Sequence, residues 1–441
     1  MRKKRINKLR FNRLVVGSAG LYRHLVVLVV SILIFAVGFG ISFNRAISPV
    51  LVRFSEAWED TLAYFIAPDQ LPVFTHFIGG GLLLFGLYLA YVSIKGFIAT
   101  IVGTLTPSTR GGMVNVYLQR QKLARGPKIV TLGGGTGLST LLRGLKQHSS
   151  NITAVVTVTD DGGSSGRLKE EMGIIPPGDM RNCLVALADA EARMTDLFQH
   201  RFKDKSGSLS GHSVGNLLLA GLVEQAGGDV DGALRAASDV LAIRGRVLPS
   251  TTTQVQLRAL MEDGTEICGE TRIVGSKLRI RRMFLDPENA KPHPEALRAI
   301  QEADLIVIGP GSVYTSVIPN LLVPGISEAL NEAKGHKVYV SNVMTQHGES
   351  DAFTAAEHVV AIQANVDQRV CDSVLVNTAM PSQSAIEKYR EFEQSWVQPD
   401  VDRIRTMGFK VIQADVMSET DYVRHDPIRL ASILLEQVYK K

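Results

Sequence analysis

One turn constrains the fold of this chain more than any other stretch. Lys128 to Leu132 is a short apolar, β-branched run that empties into Gly133-Gly134-Gly135-Thr136-Gly137, and Ser139 to Leu145 continues with helical patterning. The order reads as strand, glycine turn, helix. Glycines let the backbone turn sharply and approach a ligand, while the start of the helix offers free N–H groups and a positive dipole end to an anion. The implied guest is a phosphate or diphosphate; tight packing is the competing use of such a turn. The spacing is not G-x-G-x-x-G, and no Lys-Ser or Lys-Thr pair follows, which excludes a P-loop ATPase.

Upstream of that turn the composition changes. Leu25 to Ile41 carries no charge, and Val73 to Ile94 is equally free of Lys, Arg, Asp and Glu. At about 1.5 Å per residue the first run approaches the roughly 30 Å of bilayer hydrocarbon, and the second is expected to cross back. A cleaved signal peptide is the competing reading of the first run, but no A-x-A cleavage pattern follows it. Arg2, Lys3, Lys4, Arg5, Lys8, Arg10, Arg13 and Arg23 precede the first run without an acidic residue among them. The segment between the runs sets Arg45 and Arg53 against Glu56, Glu59, Asp60 and Asp69, with Trp58 and Tyr64 at interfacial positions. The positive-inside rule then puts both ends in the cytoplasm, with the basic arm against anionic headgroups. The formal net charge of +5 is thereby accounted for without nucleic acid.

The expected organisation is a basic cytoplasmic arm over 1–24, a transmembrane hairpin with a short external loop over 25–105, a linker over 106–127 and a soluble domain over 128–441. Within the last, Lys128 to Leu132, Ile152 to Val158, Ala303 to Ile308, Lys337 to Val340, Ser373 to Val376 and Lys410 to Gln413 are strand candidates alternating with helical patterns. That alternation predicts an α/β fold, a Rossmann-like parallel sheet flanked by helices. Cys183, Cys268 and Cys371 are far apart and form no C-x-x-C pair, so neither a disulfide framework nor a zinc site is indicated.

Other strand exits carry the remaining polar chemistry. Asp160 and Asp161, followed by Gly162, Gly163, Ser164 and Ser165, stand about twenty residues past the glycine turn, where an acidic side chain meets a ribose. A magnesium ion beside a diphosphate, or a simple Asx-turn, are the alternatives. Gly178, Asp179, Arg181 and Asn182 read as a loop entering a helix, with Asp179 as N-cap and Arg181 and Asn182 in the first turn. His212 and Asn216, with Gly215 between them, are spaced i, i+4 as on one helical face. Gly309, Pro310, Gly311, Ser312, Tyr314 and Thr315 follow an apolar strand as a ligand loop, in which Tyr314 either stacks on a base or sugar or serves as a hydrophobic lid. Asn342, Thr345 and Gln346 follow the next strand. No Ser, His and Asp spacing identifies a triad.

Six segments in this order, from Gly133-Gly134-Gly135-Thr136-Gly137 through Thr159 to Gly166, Pro177 to Asn182, Gly211 to Asn216, Gly309 to Ser316 and Asn342 to Gln346, resemble the bacterial gluconeogenesis factors of the wider 2-phospho-L-lactate transferase-like family. The resemblance covers the soluble domain and not the first 127 residues. It implies a UDP-sugar ligand, notably UDP-N-acetylglucosamine, and a part in cell-wall and cell-shape control during growth on gluconeogenic carbon. By that resemblance the glycine turn holds the diphosphate and the later strand exits surround base and sugar. Phe353 stands where a Tyr is expected, which would remove a polar contact to the ligand.

The function expected is thus a membrane-anchored, cytoplasmic regulatory protein that binds a nucleotide-sugar, forms a homo-oligomer and meets a cell-wall or metabolic protein. The alternative is a magnesium-dependent transferase related to 2-phospho-L-lactate transferase. The loops that bear the chemistry hold too few Lys and Arg for a nucleic-acid track.

Overall fold

The computed structural model describes residues 2–43, 70–105, 113–203, 207–420 and 422–439, with isolated positions between 53 and 67. The loop positions Trp58 and Tyr64 and the linker residues 106–112 lie outside the described residues. The chain forms two compact units, Met1–Arg120 and Gln121–Lys441.

In the first unit, helices Arg2–Phe43 and Leu71–Leu105 pack side by side. Within them, Tyr22–Ser42 and Val73–Ile98 are long and apolar enough to cross a membrane, with mean hydropathies of 2.8 and 1.9. Their burial is inverted relative to a water-soluble pair. Ser31, Thr75 and Ser93 are buried, whereas Phe77 is 83% and Leu84 71% exposed. Small residues bring the backbones close: a Cβ on Gly38 would stand 2.7 Å from the Leu83 nitrogen, and one on Gly86 2.8 Å from that of Phe35. Close approach through small residues with apolar side chains turned outward is how helices pair where the solvent is lipid.

Among the described residues the second unit has twelve strands: β1 (Ile129–Gly133), β2 (Ile152–Val156), β3 (Arg246–Pro249), β4 (Gln256–Met261), β5 (Glu266–Cys268), β6 (Ile280–Asp286), β7 (Leu305–Ile308), β8 (His336–Val340), β9 (Ser373–Asn377), β10 (Lys410–Ala414), β11 (Met417–Glu419) and β12 (Val423–His425). Seven form one sheet in the order β10-β9-β8-β7-β1-β2-β3. Every pairing in it is parallel, with Ile129 opposite both Ile152 and Leu305. β1, β2 and β7 are buried at every position, as strands covered by helices on both faces must be. The expected Rossmann-like α/β architecture is the one observed, with each of the six expected strands recovered to within two residues at either end.

β3 was not among the expected strands, because four residues ending in Pro249 at the sheet edge give little pattern to read. Two smaller elements were also unforeseen. β5-β4-β6 make an antiparallel sheet, and β11 and β12 make a hairpin beside helix Gln383–Arg390. Val343, Met344, Met417 and Val423 form a small core of their own there, backed by Tyr389 and Trp396.

The topology fixes where a ligand can enter. From β1 the chain moves outward to β2 and β3, then returns to β7 on the other side of β1 and moves outward again through β8, β9 and β10. The connections after β1 and β7 therefore diverge to opposite faces and leave a crevice beyond the carboxyl ends of these two strands.

Candidate functional site

The crevice is occupied by the opening glycine turn. Gly134 is fully extended, Gly135 has φ +61°, and the helix Gly135–Leu145 starts there with no side-chain cap. A Cβ on Gly137 would stand 2.5 Å from the carbonyl oxygen of Pro310, so only glycine lets this helix start meet the turn after β7. Asn320, fully buried, ties the two turns together by donating from Nδ2 to the carbonyls of Gly133 (3.1 Å) and Ser316 (2.8 Å).

The turn after β7 is held from within. Ser312 Oγ accepts from the Thr315 amide at 3.1 Å and hydroxyl at 2.8 Å, and donates to Glu349. Gly311 N–H donates to Asn342 Oδ1 at 3.2 Å, which brings the β8 exit to the same edge. Together these exits border a hollow of about 230 Å³. Gly134, Gly135, Thr136, Gly137 and Thr140 form one wall, Pro310, Gly311, Ser312 and Ser316 the second, and Asn342, Val343, Met344 and Gln346 the third. Val423, Arg424 and His425 close it from β12. These three were not among the expected site residues: a three-residue strand near the C-terminus, without glycines or a motif, gives no signal of its own.

The segments after β2 take a different part. Asp160 Oδ1 accepts from the Gly162 amide at 2.9 Å, and Asp161 Oδ1 accepts from the Thr271 amide (2.9 Å) and hydroxyl (2.7 Å). Asp160 thus makes the local Asx-turn, and Asp161 anchors helix Glu270–Gly275. Ser164 Oγ meets His212 Nδ1 at 3.0 Å and accepts from Asn216 Nδ2 at 3.0 Å, with Ser165 3.5 Å from the same nitrogen. Arg181 Nη1 donates to Ser213 Oγ (2.6 Å) and Asn216 Oδ1 (2.8 Å), and Nη2 to Asn182 Oδ1 (2.9 Å). Gly215 lies against the Arg181 side chain, and Gly178 against Ser165. This buried network joins the second, third and fourth motifs to one another, and none of these residues borders the hollow. Asp161, Gly162 and Gly163 instead border a separate hollow of about 760 Å³ with Lys169 and Arg272.

Several local expectations need correction. The N-cap of helix Gly178–Leu187 is Pro177, so Asp179 sits in the first turn, and its carboxyl is turned back to the Gly135 amide. His212 precedes the helix Val214–Gln225, whose N-cap is Ser213, so His212 and Asn216 do not share a helical face; they meet through Ser164. Tyr314 is buried, its hydroxyl 3.5 Å from the Ile280 carbonyl, and it meets Phe353 edge-on. It does not border the hollow. Phe353 packs between Tyr314 and His358, so a hydroxyl at that position would belong to this aromatic group rather than to the hollow. Thr345 is buried and accepts from the Ser395 amide at 2.8 Å.

Five carboxyls, those of Asp160, Asp161, Asp179, Glu270 and Glu349, lie close enough to act on one another. Burial, with Asp160 beside it, pushes the Asp179 carboxyl up to about 6, against the pull of the Gly135 N–H. Burial pushes Glu349 up to about 7 in spite of the hydroxyls of Ser312 and Thr315. Glu270 is pushed up to about 9 by burial and by Asp160, Asp179, Glu349 and Asp161. Protonation thus removes part of the negative charge that would otherwise repel an anion here. Among the described residues no group of three or more His, Cys, Asp or Glu is placed to hold a metal ion.

Residues 129–417 match the family model described as 2-phospho-L-lactate transferase CofD. A Bacillus subtilis protein named gluconeogenesis factor is 48% identical over 311 residues, which cover 70% of this chain and 98% of that protein. A relative from a Nostoc species is 45% identical over 368 residues, 82% of this chain and 80% of its own, so that likeness extends into the segment before Gln121. A crystal structure of a Bacillus halodurans protein, 47% identical, superimposes with a TM-score of 0.67 and covers 70% of this chain and 99% of that one.

Proposed function

The chain belongs to the 2-phospho-L-lactate transferase CofD family, among its gluconeogenesis factors, and from that premise we propose that it is a membrane-anchored regulatory protein whose cytoplasmic domain binds a nucleotide-sugar of the UDP-N-acetylglucosamine type. One observation carries this reading: the helix start at Gly135, whose own N-cap residue Gly134 has no side chain to cover it, faces the turn after β7 across a crevice at the point where the strand order reverses. The amides beyond Gly135 and a dipole end in that position suit a diphosphate, and the third wall, where Asn342 and Gln346 stand with Val343 and Met344, suits the uncharged part of the ligand. The function assigned is regulation of cell-wall metabolism and cell shape through ligand occupancy, with a protein partner of cell-wall or central metabolism and a homo-oligomer as the working form. Two helices of membrane-spanning length with an inverted burial pattern, preceded by a basic arm, support the anchoring and the cytoplasmic side.

A transferase that passes a phosphate-linked group to an acceptor is the second reading. The larger hollow beside Asp161 favours it, because an acceptor needs room of its own. Equilibrium titration of the protein with UDP-N-acetylglucosamine, followed by product analysis after long incubation with magnesium, separates the two. Saturable binding with intact ligand recovered supports the regulator, and release of UMP or a transferred sugar phosphate supports the enzyme. Absence of binding refutes both.

A further inference from the structure

The hydroxyls that border the hollow are not all spent inside the protein. Ser312 Oγ is held by Thr315 and Glu349, and Thr140 Oγ1 donates to the Thr136 carbonyl at 2.9 Å. Ser316 differs. It borders the same hollow and is half-buried, yet among the described residues its Oγ has no hydrogen-bond partner, and it is open to solvent rather than sealed. A serine inside a helical turn can return its hydroxyl to the carbonyl one turn back. Here that carbonyl, of Ser312, is taken by the amides of Ser316 at 3.0 Å and Val317 at 2.9 Å.

The backbone holds this hydroxyl toward the crevice. Val313–Val317 is a single π-helical turn, a rare form that recurs at functional sites, and the Val317 amide closes it on the Ser312 carbonyl. Asn320 ties the Ser316 carbonyl to that of Gly133, which fixes this turn against the glycine turn. Ser316 Oγ consequently stands 4.0 Å from the point where a Cβ on Gly135 would begin. Apart from Gly134, Thr136 and the backbone of the helix itself, no other atom of the described residues lies within 4 Å of that point. The hydroxyl therefore faces the start of helix Gly135–Leu145 across a narrow gap.

The amides of Thr136 and Gly137, in the first turn of that helix, have no carbonyl of their own helix to meet. A phosphate oxygen has lone pairs for donors on both sides of it, and a hydroxyl opposite the amides adds a donor without adding charge. Resting on the nucleotide-sugar reading above, we propose that Ser316 is a ligand-binding residue whose hydroxyl donates across the crevice to the phosphate seated on the glycine turn. The turn after β7 then holds the diphosphate through Ser316, while Ser312 and Thr315 only shape that turn. Because the hydroxyl has no partner in the free protein, its removal separates binding from stability.

The test compares Ser316→Ala with the wild type in the full-length protein, by thermal unfolding without ligand and by equilibrium titration with UDP-N-acetylglucosamine and with UDP. The variant is expected to unfold within about 2 °C of the wild type, as a change at an unpaired, solvent-reached group does. Both ligands are expected to weaken by the same factor of about ten, the worth of one hydrogen bond to a charged group. Unchanged affinity for both overturns the proposal. So does a loss confined to UDP-N-acetylglucosamine, which would put the hydroxyl on the sugar, and so does a large fall in melting temperature or failure to fold, which would make the hydroxyl structural. A wild type that takes UDP-N-acetylglucosamine but not UDP also overturns it, since the sugar then carries the binding. A wild type that binds neither refutes the nucleotide-sugar reading itself, an outcome distinct from an unaffected Ser316→Ala.

Discussion

Asp179 presses its carboxyl against the bare Cα of Gly134, so that a methyl group built there would overlap Oδ2, while the amide of the next residue, Gly135, donates to the same carboxyl. The third motif thereby buttresses the first from behind. Thr157 Cγ2 stands 2.7 Å from the same built position and leaves no room on its side either. Gly134→Ala is therefore expected to cost about 1–3 kcal/mol of stability, as overpacking does. Because the two residues share one contact, Asp179→Ala added to Gly134→Ala should restore part of that loss. Urea denaturation of the two single variants and the double variant measures the coupling, and strict additivity would show that the carboxyl is not what the methyl meets.

The same carboxyl takes part in a pH dependence whose sign is fixed. Asp179 and Glu349 titrate near 6 and 7 in the folded chain, above the ordinary carboxylate range near 4. At these carboxyls, and at Glu270 near 9, the folded state binds more protons than the unfolded one, so their contribution to stability falls as pH rises from about 4.5 to about 9, while His425, lowered to about 4, contributes with the opposite sign below about 6.5. Urea midpoints across the range check it. The midpoint of the wild type relative to Glu349→Gln should fall as pH rises through about 7, and a relative midpoint that climbs there contradicts the assignment.

Arg181 offers a way to separate support from ligand contact. Its guanidinium holds Ser213, Asn216 and Asn182, and through Asn216 it reaches Ser164. Arg181→Ala would leave these buried groups unpaired and is expected to cost about 3 kcal/mol or more. The fraction that remains folded should bind UDP-N-acetylglucosamine within a few-fold of the wild type. Calorimetric titration below the lowered melting temperature checks this, and a loss of binding of a hundredfold or more in a folded variant would put Arg181 on the ligand.

Much of this arrangement was legible in the sequence, and the reason is physical. A strand buried on both faces must be apolar throughout, so β1, β2 and β7 announce themselves, and a turn that needs a bare backbone announces itself through glycine. What could not be read was which polar residues face the crevice and which face one another. Ser164, Arg181, His212 and Asn216 have the composition of a binding motif, and the structure uses them as internal cross-braces. Arg424 and His425 border the hollow from a strand of three residues, where no periodicity can develop. Asp179 illustrates the middle case: a residue singled out at the right place whose role, facing the Gly135 amide instead of capping its own helix, depends on contacts between separate segments.

The membrane topology is open to labelling in intact cells. Cys268 is only half-buried in the second unit, and no cysteine lies before Cys183. A membrane-impermeant maleimide applied from outside should leave Cys268 unmodified until the cells are permeabilised. A cysteine introduced by Trp58→Cys, between the two apolar segments, should react in both conditions. Labelling of Cys268 from outside would reverse the orientation, and protection of the introduced cysteine would remove the external loop.

Where the phosphates rest is measured directly by a crystal structure of the complex with UDP-N-acetylglucosamine. The diphosphate is expected within hydrogen-bond distance of the amides at Thr136 and Gly137, with the uncharged remainder lying toward Asn342 and the β12 residues. A nucleotide bound instead in the hollow beside Asp161 and Lys169, or a hollow beside Gly135 and Thr136 that stays empty of ligand in the saturated complex, would contradict it.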